Sequence, residues 1–202
     1  MVRILAVVLV LAISGCAVFD GGMVPKTNLI PYDENGYKKP NLSYSSTAIG
    51  GVFSQSELPG AAQSIMEGEL FSVLESSNYF SRIAKKDDSA DINIDVTIIN
   101  KGNPAALIPA AITGATFYII PSWATDQFNV VAKVERKDGL KKEYTLSDTA
   151  TIVQWLPMMF VFPVKNFSVI PEVRKNMYKK VLADMKADGF FNASVETLSL
   201  AN

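Results

Sequence analysis

Apolar and polar side chains alternate between Ile92 and Ile98: Ile92, Ile94, Val96 and Ile98 on one side, Asn93, Asp95 and Thr97 on the other. That period of two predicts a strand with one buried face. Two longer stretches keep helical spacing instead. Leu58, Ala62, Ile65, Leu70, Val73 and Leu74 predict a helix from about Glu57 to Ser77, and Val173, Met177, Val181, Leu182 and Met185 predict another from about Pro171 to Ala187. Both open alike, on Ser56-Glu57-Leu58-Pro59 and Ser168-Val169-Ile170-Pro171. Proline suits a first turn because the amide it lacks would have no partner there. Both also close alike, on Asn78-Tyr79-Phe80 and Gly189-Phe190-Phe191, with a residue that accepts the left-handed conformation followed by an aromatic pair. The chain thus reads as two related halves.

Further strands follow from the same patterns. Leu42 to Phe53, rich in Ser, Thr and branched residues, predicts a strand ending in a turn or bulge at Gly50-Gly51. Phe128, Val130, Ala132 and Val134 lead into Asp138-Gly139 and a second extended run from Leu140 to Thr151, the signature of a hairpin. The expected fold is α+β: a mainly antiparallel sheet with two amphipathic helices packed on it, in one domain over residues 42–202. Residues 16–41 carry Gly21, Gly22, Pro25, Pro31, Gly36 and Pro40 without helical or strand period, and read as a flexible tether.

Two segments break the usual mixture of charge and apolarity. Gly102 to Thr125 contains no charged residue, nor does Thr149 to Val164 once Asp148 is passed. Prolines at 104, 109, 121, 157 and 163 interrupt both, so neither predicts a continuous spanning helix. One reading makes them core or buried connectors. The other makes them an apolar face, with Trp123, Trp155, Phe160 and Phe162 as contacts to a membrane or a partner.

Composition narrows the chemistry. Histidine is absent and Cys16 is the only cysteine, so a Ser-His-Asp triad, a Cys-His pair, a His-based zinc site and any internal disulfide are excluded. The net charge of −1 gives no basis for nucleic-acid binding. Asp91-x-Asn93-x-Asp95 matches the start of a calcium loop, but Val96 stands where the turn glycine belongs and Gly102 where the bidentate glutamate belongs. No enzyme activity, cofactor or metal is expected.

The first fifteen residues have the zones of an export signal: Arg3, an apolar run from Ile4 to Ile13, then Ser14 and Gly15 before Cys16. The run is about half the length that a spanning helix requires. Ile13-Ser14-Gly15-Cys16 resembles the lipobox of bacterial lipoproteins. The resemblance implies cleavage before Cys16, a diacylglyceryl group on its sulfur and, with Ala17 in the next position, the periplasmic face of the outer membrane. A second, looser likeness covers residues 42–100: a helix, an aromatic-Phe segment, a charged turn and Ala90-Asp91-Ile92-Asn93-Ile94-Asp95-Val96. It resembles small α/β envelope lipoproteins of the curli-secretion and penicillin-binding-protein-activator types. That likeness implies a non-catalytic interaction or scaffold module for a periplasmic or outer-membrane protein partner. The alternative is a self-assembling or membrane-inserting subunit that uses segments 102–125 and 149–164.

Overall fold

The computed structural model describes residues 16–32, 38–158 and 168–192. Seven strands form one mixed sheet: β1 (Cys16–Asp20), β2 (Asn41–Gly51), β3 (Ser56–Glu57), β4 (Arg82–Lys85), β5 (Ile92–Lys101), β6 (Ser122–Arg136) and β7 (Lys141–Gln154). Their order is β1-β7-β6-β5-β2-β3, with β4 also paired to β2. The pairs β1/β7, β7/β6, β6/β5 and β2/β3 are antiparallel, whereas β2 lies parallel to β5 and β4. The fold is α+β and mainly antiparallel. The parallel pairs arise because a helix lies between β2 and the strands that follow it, which carries the chain back to the starting end.

Helices α1 (Gly60–Ser77) and α3 (Val169–Ala187) pack on one face of the sheet. From α3, Val173, Met177, Val181, Leu182 and Met185 are buried as their spacing predicts. In α1 the buried stripe is Met66, Glu69, Leu70, Val73, Leu74 and Ser77, while Ile65 points to solvent. Its start also differs from expectation. Ser56–Glu57 pairs with β2 as β3, and Pro59 precedes the first helical residue, because an edge was open beside Ile49 and Gly50. Against these helices the sheet sets Leu42, Ile92, Ile98, Phe128 and Val130, which close the core.

The matching helix ends meet in space. Asn78 ends α1 at φ 56°, and Gly189 follows α3 at φ 81°. The aromatic pairs beyond them are buried together, with ring centroids 5.1 Å apart for Tyr79 and Phe191 and 5.6 Å for Phe80 and Phe191. Past Phe80 the chain enters β4; the segment after Asn192 lies outside the described residues. Asp188, just before that glycine, accepts hydrogen bonds from Lys142 Nζ and Tyr144 Oη, both at 2.7 Å. These bonds hold its carboxyl below the usual carboxylate range, the Lys142 bond most of all. A carboxyl lowered on folding contributes stability above its unfolded pKa of about 3.9, and loses that contribution as pH falls through the folded value. Asp188→Asn is therefore expected to flatten the acid limb of a Tm–pH curve measured below about pH 4. An acid limb as steep as wild type would show that the contact adds nothing to folding.

The tether expected over residues 16–41 needs correction where it is described. Cys16–Asp20 is an edge strand in register with β7, from Cys16 opposite Gln154 to Asp20 opposite Ala150. Beyond it, the amides of Met23 and Val24 donate to the buried Asp148 carboxylate, each at 3.1 Å. The Thr27 amide donates to Asn176 Oδ1 at 2.8 Å, and the Ile30 carbonyl accepts from Tyr79 Oη. A proline- and glycine-rich stretch with no period of its own is thus fixed by side chains more than a hundred residues away in several of these contacts.

Candidate functional site

Cys16 lies at one end of the sheet, at the start of β1. Gln154 closes β7 and has Cys16 opposite it on one side and Ser122, the first residue of β6, on the other. Two strand spacings therefore separate Cys16 from Ser122, about 10 Å. The Ser122 hydroxyl lies 3.2 Å from Gln154 Oε1, and Gln154 also bonds the Cys16 thiol. Partial burial pushes that thiol up from its ordinary value, and the Gln154 bond offsets some of the rise. Cys16 is in this respect no activated nucleophile. Ile13, Ser14 and Gly15, the remainder of the lipobox-like stretch, lie outside the described residues.

Between β5 and β6 the charge-free segment makes a short 3-10 turn, Pro104–Ala106, and then helix α2 (Leu107–Ala115). A third helix was not legible in the pattern, because α2 is nine residues long, holds Pro109 and has no charged residue to mark a solvent face. Only Thr113 of α2 is buried. The buried-core reading of this segment is therefore overturned. Ile108 is 73% exposed, Phe117 75%, Ile119 67% and Trp123 68%, with Leu107, Ile112 and Ile120 about half exposed.

The hairpin does bring the two apolar segments together. The Leu156 amide donates to the Tyr118 carbonyl at 2.8 Å, and Trp123 stands opposite Val153. Trp155 and Leu156 are each more than a third exposed beside them. Of the residues expected to meet a membrane or partner, Trp123 and Trp155 are thus on this end, while Phe160 and Phe162 lie outside the described residues. Phe117, Ile108 and Ile119 belong to the apolar interior of the same charge-free segment, although among its residues only Trp123 was expected as a contact. Phe53, 83% exposed in the turn after β2, was missed. It reaches the same end because Gly51 is paired with Lys101, one residue before Gly102.

The face of the sheet away from α1 and α3 is polar. Ser45, Asp95, Lys133 and Glu143 form one row across four strands, with the Ser45 hydroxyl donating to Asp95 at 2.7 Å. Together with Glu135 and Lys141 they line an open groove of about 720 Å³. Asp91 and Asp95, the false calcium pair, serve the backbone and a hydroxyl: Asp91 accepts the Asn41 amide at 2.8 Å. No group of three or more potential metal ligands occurs among the described residues, and none of their helices is long and apolar enough to cross a membrane.

No protein-family model matches the chain, and no curated protein matches it. Solved structures that match include a minor lipoprotein from Acinetobacter baumannii, at TM-score 0.42 and 13% identity over 75% of this chain and 93% of that one. A PelC dodecamer from Paraburkholderia phytofirmans matches at TM-score 0.31 and 10% identity, over 81% and 97% of the two chains. A DUF4136 family protein from Bacteroides thetaiotaomicron matches at TM-score 0.30 and 13% identity, over 80% and 98%.

Proposed function

We propose that this protein is a lipid-anchored, non-catalytic module of the bacterial envelope, acylated at Cys16 and held at the periplasmic face of the outer membrane, where its open sheet face docks another envelope protein. The observation that carries the reading is the position of Cys16. It opens β1 at the end of the sheet, so an acyl group on its sulfur would hold the domain itself at the lipid surface. Two or more acyl chains give firm anchoring at about 0.8 kcal/mol per buried methylene. The polar row from Ser45 to Glu143 then stays free of the anchor and available to a protein partner. Its mixed charges favour a partner of complementary rather than single-signed surface.

Cys16→Ala tests the anchor. Without the sulfur there is no site for the diacylglyceryl group, and no second cysteine can substitute. The expected outcome is an uncleaved precursor without acyl mass, beside a wild type that begins at Cys16 and carries it, read by mass spectrometry and membrane fractionation. A wild-type mature terminus without added acyl mass would overturn the lipoprotein reading. For the docking role, crosslinking from Lys133 and Lys141 in intact envelopes is expected to give a discrete heterocomplex that Asp95→Lys/Glu143→Lys, which keeps both lysines, abolishes. Recovery of this chain alone would remove it.

A further inference from the structure

We infer that helix α2 and the turn after it form a rigid apolar wedge that enters the outer layer of the lipid surface beside Cys16. The inference deepens the anchored reading by giving the domain a fixed seat on the bilayer.

The apolar patch is large. An aromatic side chain presents roughly 150–250 Å², so Phe117 and Trp123 at 75% and 68% exposure account for on the order of 300 Å² between them. Ile108, Ile119, Ile112 and Leu107 extend the patch past the few hundred Å² that a monomer ordinarily exposes. No charge interrupts it from Gly102 to Thr125.

Entry into lipid requires a satisfied backbone, since lipid offers no partner to a free amide or carbonyl. The wedge supplies its own. Asn103 caps the 3-10 turn through the Ala105 amide, the Tyr118 amide bonds the Thr113 carbonyl at 2.8 Å, and the Thr116 hydroxyl bonds the Ile112 carbonyl and receives the Ile120 amide. The Tyr118 carbonyl is taken by Leu156. Phe117 and Tyr118 are held at φ 52° and 62°, a conformation costly for bulky side chains. In this turn the Phe117 ring stands 75% exposed.

Location selects the occupant. The patch shares its end of the sheet with Cys16, about two strand spacings from Trp123's neighbour Ser122. With residues 16–32 bolted to the domain, the anchor cannot lift this end away from the bilayer. A tryptophan near the border of the patch is the residue type that favours the boundary between lipid and water.

The test reconstitutes the full chain into phosphatidylethanolamine–phosphatidylglycerol vesicles with brominated acyl chains, and reads tryptophan emission. Trp155→Phe isolates Trp123, whose emission is expected to shift to the blue and to lose most of its intensity to bromine. Phe117→Ser/Ile119→Ser, at exposed positions that leave folding unchanged by circular dichroism, is expected to abolish the quenching. The same pair of measurements on Cys16→Ala, compared at equal bound protein, separates the wedge from the acyl group: failed acylation changes mass and retention, whereas a failed wedge leaves Trp123 unquenched in either chain. Water-like emission from bound protein overturns the inference. So does burial of Trp123 without lipid in a dimer that Phe117→Asp dissociates, which would assign the patch to a second copy.

Discussion

Arg174→Met is expected to destabilise the fold by about 3–5 kcal/mol, the range for removing one partner of a buried ion pair. Arg174 reaches from α3 to Glu69 on α1 with two parallel bonds, Nε to Oε2 at 2.7 Å and Nη2 to Oε1 at 2.6 Å. Both side chains are buried, and the guanidinium also lies over the Phe128 ring at 5.8 Å. Removing Arg174 alone strands the buried Glu69 carboxylate, with the unpartnered Tyr178 hydroxyl near it. Burial and the nearby Glu69 already hold the Tyr178 phenol well above its ordinary value, so it stays a neutral donor. The double variant Glu69→Leu/Arg174→Met should recover most of the loss, because an apolar pair of similar size replaces a pair whose desolvation nearly cancels its attraction. Urea unfolding of wild type, both single variants and the double variant gives the cycle. A single-variant loss below about 1 kcal/mol would place this pair with ordinary surface bridges.

Asp148→Ala is expected to free residues 21–32 from the domain and to cost about 3–6 kcal/mol, given roughly 1.5–3 kcal/mol for each of the two hydrogen bonds that this segment makes to the charged group. Its carboxylate, buried opposite Phe128, accepts the amides of Met23, Val24 and Thr149, the last at 2.7 Å. Two of those donors belong to the segment that links β1 to the rest of the chain. The variant should therefore show fast amide exchange and proteolytic cleavage over residues 21–32 while α1 and α3 keep their protection. Unchanged exchange there would mean that Asn176 and Tyr79 hold the segment without Asp148. With the wedge in mind, Asp148 also serves the anchor: loosening this segment would turn a seated domain into a swinging one.

Local patterns were sufficient wherever an element carries its own period. The alternation in Ile92–Ile98 and the α3 stripe each state a burial face directly, the Asp138-Gly139 turn states a chain reversal, and all three are present. The lipobox-like stretch and the lack of histidine were likewise visible in the residues alone, since they concern residue type and not contact. Partners were not visible. Residues 16–32 read as a tether because their order depends on Asp148 and Asn176, whose approach is made only when the sheet and α3 have formed. Helix α2 has no polar face to set its phase, so its apolar residues fit a core as well as a surface until their exposure is known. The pairing of Cys16, Gln154 and Ser122 was equally hidden: register is a property of three strands at once. The sequence by itself determined β2, β5, β6 and β7, the helices α1 and α3 and the segments free of charge, because a single chain's periodicity reports what each of these elements must bury. Only the tertiary structure decided that Cys16 and the apolar segments share one end, because that proximity arises from strand order and from hydrogen bonds between residues far apart in the chain.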